Sequence, residues 1–248
     1  VTTTYTVTGE DAIGCSSTQT ITISVGSPSL TLSASSNTIC TGNSATLTAN
    51  GATSYTWNPG ALTGTTTVVS PTTTTTYTVD GSDGTCSATQ TITLVVSPNA
   101  TVTASASSST ICAGSSATLT ANGASTYTWN PGALTGTTTV VTPTTTTTYT
   151  VDGDNGLGCI TSAIVTVNVN SAPSLSIAAT STALCTSGSV TLTASGATSY
   201  TWNPTAITTA SIVDAPSITT TYTVTGEDAI GCSSSQTITI SVGAPTIT

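Results

Sequence analysis

The chain repeats itself at a fixed period, and this limits it to an array of similar modules. Trp57, Trp129 and Trp202 follow one another at intervals of 72 and 73 residues. Residues 44–80 and 116–152 differ at only three positions, all of them exchanges between serine and threonine. Self-similarity at a fixed period is the sequence signature of units arranged in tandem.

A longer period lies over the short one. Residues 1–31 match residues 218–248 with five differences, at an offset of 217 residues. We therefore expect the last two strands of a preceding module at 1–29, followed by complete modules at 30–99, 100–174 and 175–248. On this interpretation the sequence is a window on a longer array.

The composition favours β-strands. Only 4% of the residues are charged, against roughly 25% in an average soluble protein. The mean hydropathy of +0.27 argues against disorder, which requires low hydrophobicity. Threonine and valine are abundant, and their branched side chains fit the pleated surface of a sheet. These features predict a threonine-rich, all-β protein.

The missing residue types exclude several classes of function. Nucleic-acid binding needs lysine or arginine to displace phosphate counterions, and the chain has neither. A serine or threonine nucleophile needs a base, and histidine and lysine are both absent. No apolar run approaches the roughly 20 residues of a membrane helix. We expect no enzyme, no nucleic-acid partner and no direct insertion into a membrane.

The pattern within one module predicts a small β-sandwich. In the second module, apolar residues alternate with threonine over 117–121, as they do in a half-buried strand. Further strands are predicted at 102–106, 127–129, 137–141, 146–151 and around 165–169. Short strands with turns every 8–12 residues are typical of an immunoglobulin-like sandwich. The predicted core aromatic residues are Trp57, Trp129, Trp202, Tyr77, Tyr149 and Tyr222.

The repeated motifs carry a family resemblance. The strings ICxGxSxTLTAxG, YTWNPG, PTTTTTYTV and GC resemble the immunoglobulin-like and PKD-like repeats of giant cell-surface adhesins of gliding bacteria. The resemblance covers the whole sequence and includes Trp129 as core tryptophan and Tyr149 as the tyrosine of a tyrosine corner. It implies export by the type IX secretion system and a structural role on the cell surface or outside the cell.

The seven cysteines recur at regular places without a CxxC motif, which favours disulfides in an oxidising compartment. Relative to immunoglobulin domains they have moved outward, to the turn before the second strand and to the last hairpin. In the immunoglobulin strand order these places are at opposite ends of a module, roughly 20 Å apart. A disulfide spans less than about 7 Å between Cα atoms, so we expect bridges between modules.

Two pairings of the cysteines remain open. The bridges between modules would be Cys40–Cys159 and Cys112–Cys232, with Cys15 bonded to a partner outside the sequence and Cys86 and Cys185 paired beyond it or in neighbouring chains. The alternative closes each module on itself, through Cys40–Cys86, Cys112–Cys159 and Cys185–Cys232. Bridges at the junctions predict a stiff, elongated rod.

Acidic residues are concentrated in the last hairpin of each module. Asp152 and Asp154 stand in the segment DGDNG and are candidate calcium ligands, since hard cations prefer clustered carboxylates. The alternative is that aspartate, asparagine and glycine form the hairpin turn. No other cofactor is expected.

These observations predict a non-catalytic extracellular repeat protein, the stalk or filament shaft of a bacterial surface adhesin or fibre. The alternative is a repeat array that binds a glycan or calcium on the cell surface. The expected partners are further copies of the module along a longer chain, with lateral self-association into filaments as a further option.

Overall fold

The computed structural model of the chain describes residues 2–185 and 188–243. Every regular element of this described part is a β-strand, which confirms the all-β prediction. The described part therefore includes no helix of the length and apolar character needed to cross a membrane.

The strands fall into two compact units that do not follow the order of the chain. The first unit gathers the residues up to Ala100 together with the short segment Asp154–Ile160. The second unit holds Thr101–Gly153 and the residues from Thr161 onward. The segment 154–160 is thus packed with a part of the chain that precedes it by more than 50 residues.

The first two strands form a hairpin. Strand β1 (Thr2–Glu10) pairs with β2 (Ser16–Ser24) in an antiparallel two-stranded sheet, with Tyr5 opposite Ile21. Every residue of both strands is exposed.

Three β-sandwiches follow. The strands of the first sandwich are β3 (Thr31–Ala34), β4 (Thr38–Cys40), β5 (Ala45–Asn50), β6 (Ser54–Asn58), β7 (Leu62–Thr63), β8 (Thr66–Val69), β9 (Thr75–Ser82) and β10 (Ser87–Ser97). Those of the second are β11 (Thr103–Ala106), β12 (Thr110–Cys112), β13 (Ala117–Asn122), β14 (Thr126–Asn130), β15 (Leu134–Thr135), β16 (Thr138–Val141), β17 (Thr147–Asp154) and β18 (Ile160–Asn170). Those of the third are β19 (Ser176–Ala179), β20 (Ala183–Cys185), β21 (Val190–Ser195), β22 (Ser199–Asn203), β23 (Ser211–Asp214), β24 (Thr220–Glu227) and β25 (Ser233–Gly243).

Each sandwich has an immunoglobulin-like strand order. In the first, a three-stranded sheet β3-β5-β8 faces a five-stranded sheet β4-β10-β9-β6-β7. The second repeats this order, and the third has the same two sheets with four strands in the larger one. The first two strands of each sandwich lie in different sheets. The first strand belongs to the small sheet, whereas the second, β4, β12 or β20, pairs in parallel with the last strand of the larger sheet.

The short parallel strand was not predicted from the sequence. Cys112 was expected in a turn, but it ends strand β12 and lies opposite Asn170 of β18. Three residues with only Ile111 buried give too little periodicity to predict a strand. The pairing places the cysteine beside the end of the last strand.

Apolar residues of both sheets fill each core. In the second sandwich Leu119, Trp129 and Val151 are completely buried. The indole Nε1 of Trp129 donates a hydrogen bond to the carbonyl of Gly136 at 3.1 Å, so its polar atom is satisfied inside the core. Trp57 and Trp202 are buried in the same way and donate to Gly64 and Thr209.

A tyrosine two residues before each tryptophan closes the turn that precedes its own strand. In the second sandwich this is the turn between β13 and β14. The hydroxyl of Tyr127 accepts from the N–H of Ala124 at 2.7 Å and donates to the carbonyl of the same residue at 2.9 Å. Tyr55 and Tyr200 do the same at Ala52 and Ala197. Tyr149, which the family resemblance gives as the tyrosine of a tyrosine corner, has its ring in the core.

The same turn requires a glycine. Gly123 has φ of +95°, and a Cβ on it would lie 1.8 Å from the carbonyl oxygen of Thr101. Only glycine permits both this backbone conformation and the close approach of the strand that enters the sandwich.

We predict that Tyr127→Phe destabilises the second sandwich. The variant keeps the buried ring but leaves the N–H and C=O of Ala124 without their partner, at a cost of about 1–3 kcal/mol. Native-state hydrogen exchange of residues 117–154 measures the loss. Tyr149→Phe is the control, since that ring is equally buried. An equal effect of both variants would contradict the assigned role of Tyr127.

Candidate functional site

Each of two disulfides joins the end of a short parallel strand to the turn of the last hairpin in the following sandwich. Cys40, at the end of β4, is bonded to Cys159, in the turn between β17 and β18, with 5.5 Å between the Cα atoms. Cys112, at the end of β12, is bonded to Cys232, between β24 and β25, at 5.4 Å. Cys159 and Cys232 are each only 1% exposed. Each bond therefore lies in a closely packed contact.

Both contacts lie inside the compact units. Cys40 and Cys159 belong to the first unit, because the hairpin tip Asp154–Ile160 packs with it, and Cys112 and Cys232 belong to the second. We call the first clamp the set Cys40, Cys159, Asn155, Ser97 and Pro98. The second clamp is the set Cys112, Cys232, Asp228 and Asn170.

In the first clamp, Asn155 acts on both sides of the contact. Its Oδ1 accepts from the backbone N–H of Leu157 at 2.9 Å and closes its own hairpin turn. This bond fixes the orientation of the amide, so that Nδ2 points outward as a donor. Nδ2 donates to Ser97 Oγ at 2.7 Å and to the Pro98 carbonyl at 2.8 Å. Ser97, only 3% exposed, is thereby satisfied.

In the second clamp the donor and the acceptor exchange sides. Asp228 stands at the position of Asn155, and its Oδ1 accepts from the N–H groups of Ile230 and Cys232, both at 2.9 Å. Its Oδ2 accepts from Nδ2 of Asn170 at 2.5 Å. Asn170 ends its strand where Ser97 ends the equivalent strand, so a different polar pair completes the same contact.

These polar partners were not predicted from the sequence. The available signal was an aspartate or asparagine three or four residues before each hairpin cysteine, at Asp11, Asp83, Asn155 and Asp228. That signal indicates the turn, but it does not indicate that the second side-chain atom contacts another sandwich.

The alternative pairing within modules is not the one that the structure contains. The structure does not contain Cys40–Cys86, Cys112–Cys159 or Cys185–Cys232, because Cys40, Cys112, Cys159 and Cys232 are bonded as described above. Cys15, Cys86 and Cys185 are free thiols in the described chain. Cys86 and Cys185 hold the same places in their sandwiches as Cys159 and Cys112.

The predicted aromatic residues all lie in the cores. The rings of Trp57, Trp129, Trp202 and Tyr222 are completely buried, and Tyr77 and Tyr149 are 6% exposed. Burial raises the pKa of Tyr77. Burial, and then the hydrogen bond to Asp214, raise the pKa of Tyr222 to about 12.

The two candidate calcium ligands have other partners. Asp154 Oδ1 accepts from the N–H groups of Gly156 and Gly158, at 2.7 and 3.0 Å. Asp152 Oδ1 accepts from the hydroxyl of Ser162. Within residues 2–185 and 188–243, no group of three or more histidine, cysteine, aspartate or glutamate residues could hold a metal ion. Calcium binding stays a prediction without an assembled site.

Backbone N–H groups and hydroxyls take the place of cations around the acids. The sequence has no lysine, arginine or histidine, so the carboxylates have no basic side chain to pair with. The N–H groups of Cys86 and Thr85 lower the pKa of Asp83. The N–H of Cys232 is the main cause that lowers the pKa of Asp228, and the Asn170 amide adds to it.

Comparisons with known proteins give distant similarities in structure. A calcium-stabilised adhesin that helps an Antarctic bacterium to bind ice is 17% identical, with 98% of this chain and 82% of that chain covered and a TM-score of 0.38. The I67–I69 fragment of the titin I-band is 13% identical over 90% and 100% of the two chains, with a TM-score of 0.46. Three N-terminal domains of the bacteriophage RB49 outer capsid protein Hoc are 14% identical over 88% and 100%, with a TM-score of 0.33. No protein-family model and no curated protein matches the chain.

We predict that Asn155→Asp weakens the first clamp and that Ser97→Asn restores it. A carboxylate at 155 keeps the turn but sets an oxygen against the Pro98 carbonyl, and an unsatisfied polar group costs about 1–3 kcal/mol. Asparagine at 97 recreates the pair of the second clamp. The measurement is the equilibrium of the Cys40–Cys159 bond with glutathione. In Asn155→Asp the equilibrium constant for formation of this disulfide should fall about tenfold, the factor that corresponds to 1.4 kcal/mol, and Ser97→Asn should restore it.

The second clamp of the same molecule is the internal reference, because Cys112–Cys232 should keep its equilibrium in every variant. Asp83→Asn is the matched control, since Asp83 closes an equivalent turn with its own hairpin N–H groups. If Ser97→Asn fails to rescue Asn155→Asp, the two residues do not act as a pair.

We predict that the second clamp loses stability in acid. The pKa of Asp228 is lowered by folding from its ordinary value of 3.8, so its contribution is present above pH 4 and is lost as pH falls through the folded pKa. Thermal unfolding of the chain and of Asp228→Asn, followed from pH 6 to pH 2, measures it. The difference in melting temperature between the two proteins should become smaller in acid. A difference that stays constant from pH 6 to pH 2 would contradict the prediction.

Proposed function

We propose that the chain is a non-catalytic structural segment, part of the stalk or filament shaft of a bacterial surface adhesin or fibre. The single observation that carries this proposal is the pair of clamps. Each joins a short parallel strand to a hairpin turn 119 or 120 residues further along the chain. Both disulfides of the described residues thus lie at connections between the proposed modules.

We propose that two attachments stiffen each junction between modules. Domains joined only by a short linker move relative to one another by default. Residues 98–102 are the backbone connection between β10 and β11. The Cys40–Cys159 bond adds a second attachment, and two attachments oppose bending about either one. We propose modules at 30–99, 100–174 and 175–248 that are stiffened in this way, with 1–29 completing a preceding module.

The proposed location is the outside of a bacterial cell. Structural disulfides persist in oxidising compartments, and two are present here. The proposal of type IX export rests on the sequence motifs alone. With no histidine or lysine to serve as a base, the chemistry of the chain supports a passive role.

Lateral association of such chains is a further part of the proposal. Val68, Val140 and Val213 occupy one equivalent position on the outer strands β8, β16 and β23, and each is more than 60% exposed. Lysine commonly protects such edges from pairing with other chains, and this sequence has none.

We predict that Cys40→Ser/Cys159→Ser makes the chain more flexible without unfolding its sandwiches. Removal of one of two attachments frees a hinge, while the cores remain intact because Cys40 and Cys159 belong to none of the buried hydrophobic clusters. Small-angle X-ray scattering should show a broader distribution of distances. Tryptophan fluorescence should stay that of buried indoles.

Cys185→Ser is the control, because Cys185 is a free thiol. Scattering that is identical for the two variants would show that the clamp does not stiffen the chain. Specific binding of the intact chain on a glycan array would instead favour the alternative, a repeat array that binds sugars.

A further inference from the structure

The hairpin β1–β2 exposes an apolar face that its copy in the same chain buries. Tyr5, Val7 and Ile21 are 57%, 67% and 64% exposed. A two-stranded hairpin is only marginally stable by itself, and one with a bare apolar face is less so. An exposed face of this kind marks a site of association.

The copy is the hairpin β24–β25 of the third sandwich. Residues 1–31 and 218–248 differ at five positions, and the two hairpins have one register, with Tyr5 opposite Ile21 and Tyr222 opposite Ile238. Tyr222 and Val224 are completely buried. The same amino acids therefore lie in solvent in one hairpin and in a core in the other.

Strands β19–β23 bury the apolar face of the hairpin β24–β25. Strand β22 pairs with one edge of the hairpin, with Trp202 opposite Val224, and β20 pairs with the other edge, with Leu184 opposite Val242. The three-stranded sheet β19-β21-β23 supplies Leu192 and Ile212 to the core cluster that contains Tyr222 and Val224. In the described structure β1 and β2 pair only with each other.

We propose that β1–β2 is a complementation surface, and that its partner is the first part of a sandwich with the sequence of residues 175–217. The surface would complete that half-sandwich as β24–β25 completes the third. This deepens the proposed structural function by naming what the hairpin binds, and it can fail while that function stands.

The free cysteines fit this partner. Cys15 holds the place of Cys232, so a docked hairpin brings Cys15 to the cysteine that corresponds to Cys112. Cys86 holds the place of Cys159, so it meets the one that corresponds to Cys185. Each bridge forms from two thiols, and oxidised glutathione takes up the two electrons and two protons and leaves as two reduced molecules.

A chain truncated after Ser217 provides the test. It keeps the hairpin and has a half-sandwich with no hairpin of its own, so copies should join head to tail. Its six remaining cysteines can then all pair, within the chain as Cys40–Cys159 and between copies as Cys112–Cys15 and Cys185–Cys86. We expect a ladder of oligomers in sedimentation velocity, with these two bridges found by peptide mapping after oxidation with glutathione.

The full chain is the matched partner in this experiment. Its third sandwich is already complete, so it can dock its hairpin on a truncated copy but cannot receive another. Added full chain should shorten the oligomers, and the amides of its β1–β2 should exchange at least about tenfold more slowly in the mixture. Val7→Asp in the full chain should abolish both effects, whereas Ile164→Asp, at a comparably exposed position of β18, should leave them unchanged.

A second protein covers the case in which the truncated chain does not fold. Residues 1–217 fused directly before the full chain place a half-sandwich next to the second β1–β2. Exchange of those amides should slow by the same factor. Unchanged exchange in this fusion overturns the proposal, and so do oligomers of the truncated chain that are joined through Cys15–Cys15 bridges.

Discussion

The Cys40–Cys159 disulfide is the interaction on which the contact at the hairpin tip Asp154–Ile160 depends. The strands β17 and β18 build the second sandwich, while the turn between them, Asp154–Ile160, packs with the first unit. A disulfide holds the turn there, and the polar pair beside it satisfies Asn155 and Ser97.

Three features could be worked out from the sequence. They are the period of the modules, the alternation of apolar residues with threonine, and the separation of the two cysteines within a module. Period-two alternation indicated strands such as β13, and the immunoglobulin-like class is confirmed by the strand order. The parallel strand β12 could not be predicted, because three residues carry no periodicity. The hydrogen bond from Asn155 to Pro98 could not be predicted either. The sequence pattern of a turn indicates its local hydrogen bonds but not a partner that is distant in the chain.

Near-identity of the modules makes their few differences informative. Residues 44–80 and 116–152 are almost the same, yet the strand ends differ as Ser97 and Asn170. The facing turn residues differ with them, as Asn155 and Asp228. An amide faces acceptors in one clamp, and a carboxylate faces a donor in the other. Asn155→Asp alone would set two acceptors, a carboxylate oxygen and the Pro98 carbonyl, against each other, so the residues at each clamp form a matched set.

The absence of lysine and arginine gives the turns a second importance. Carboxylates that cannot form ion pairs must be solvated or held by N–H and O–H donors, and turns concentrate such donors. Asp83, Asp154 and Asp228 each accept two backbone N–H bonds from their own hairpins. The negative charge thus stabilises the turns that carry the hairpin cysteines. Asp154, one of the two candidate calcium ligands, closes the turn that carries Cys159.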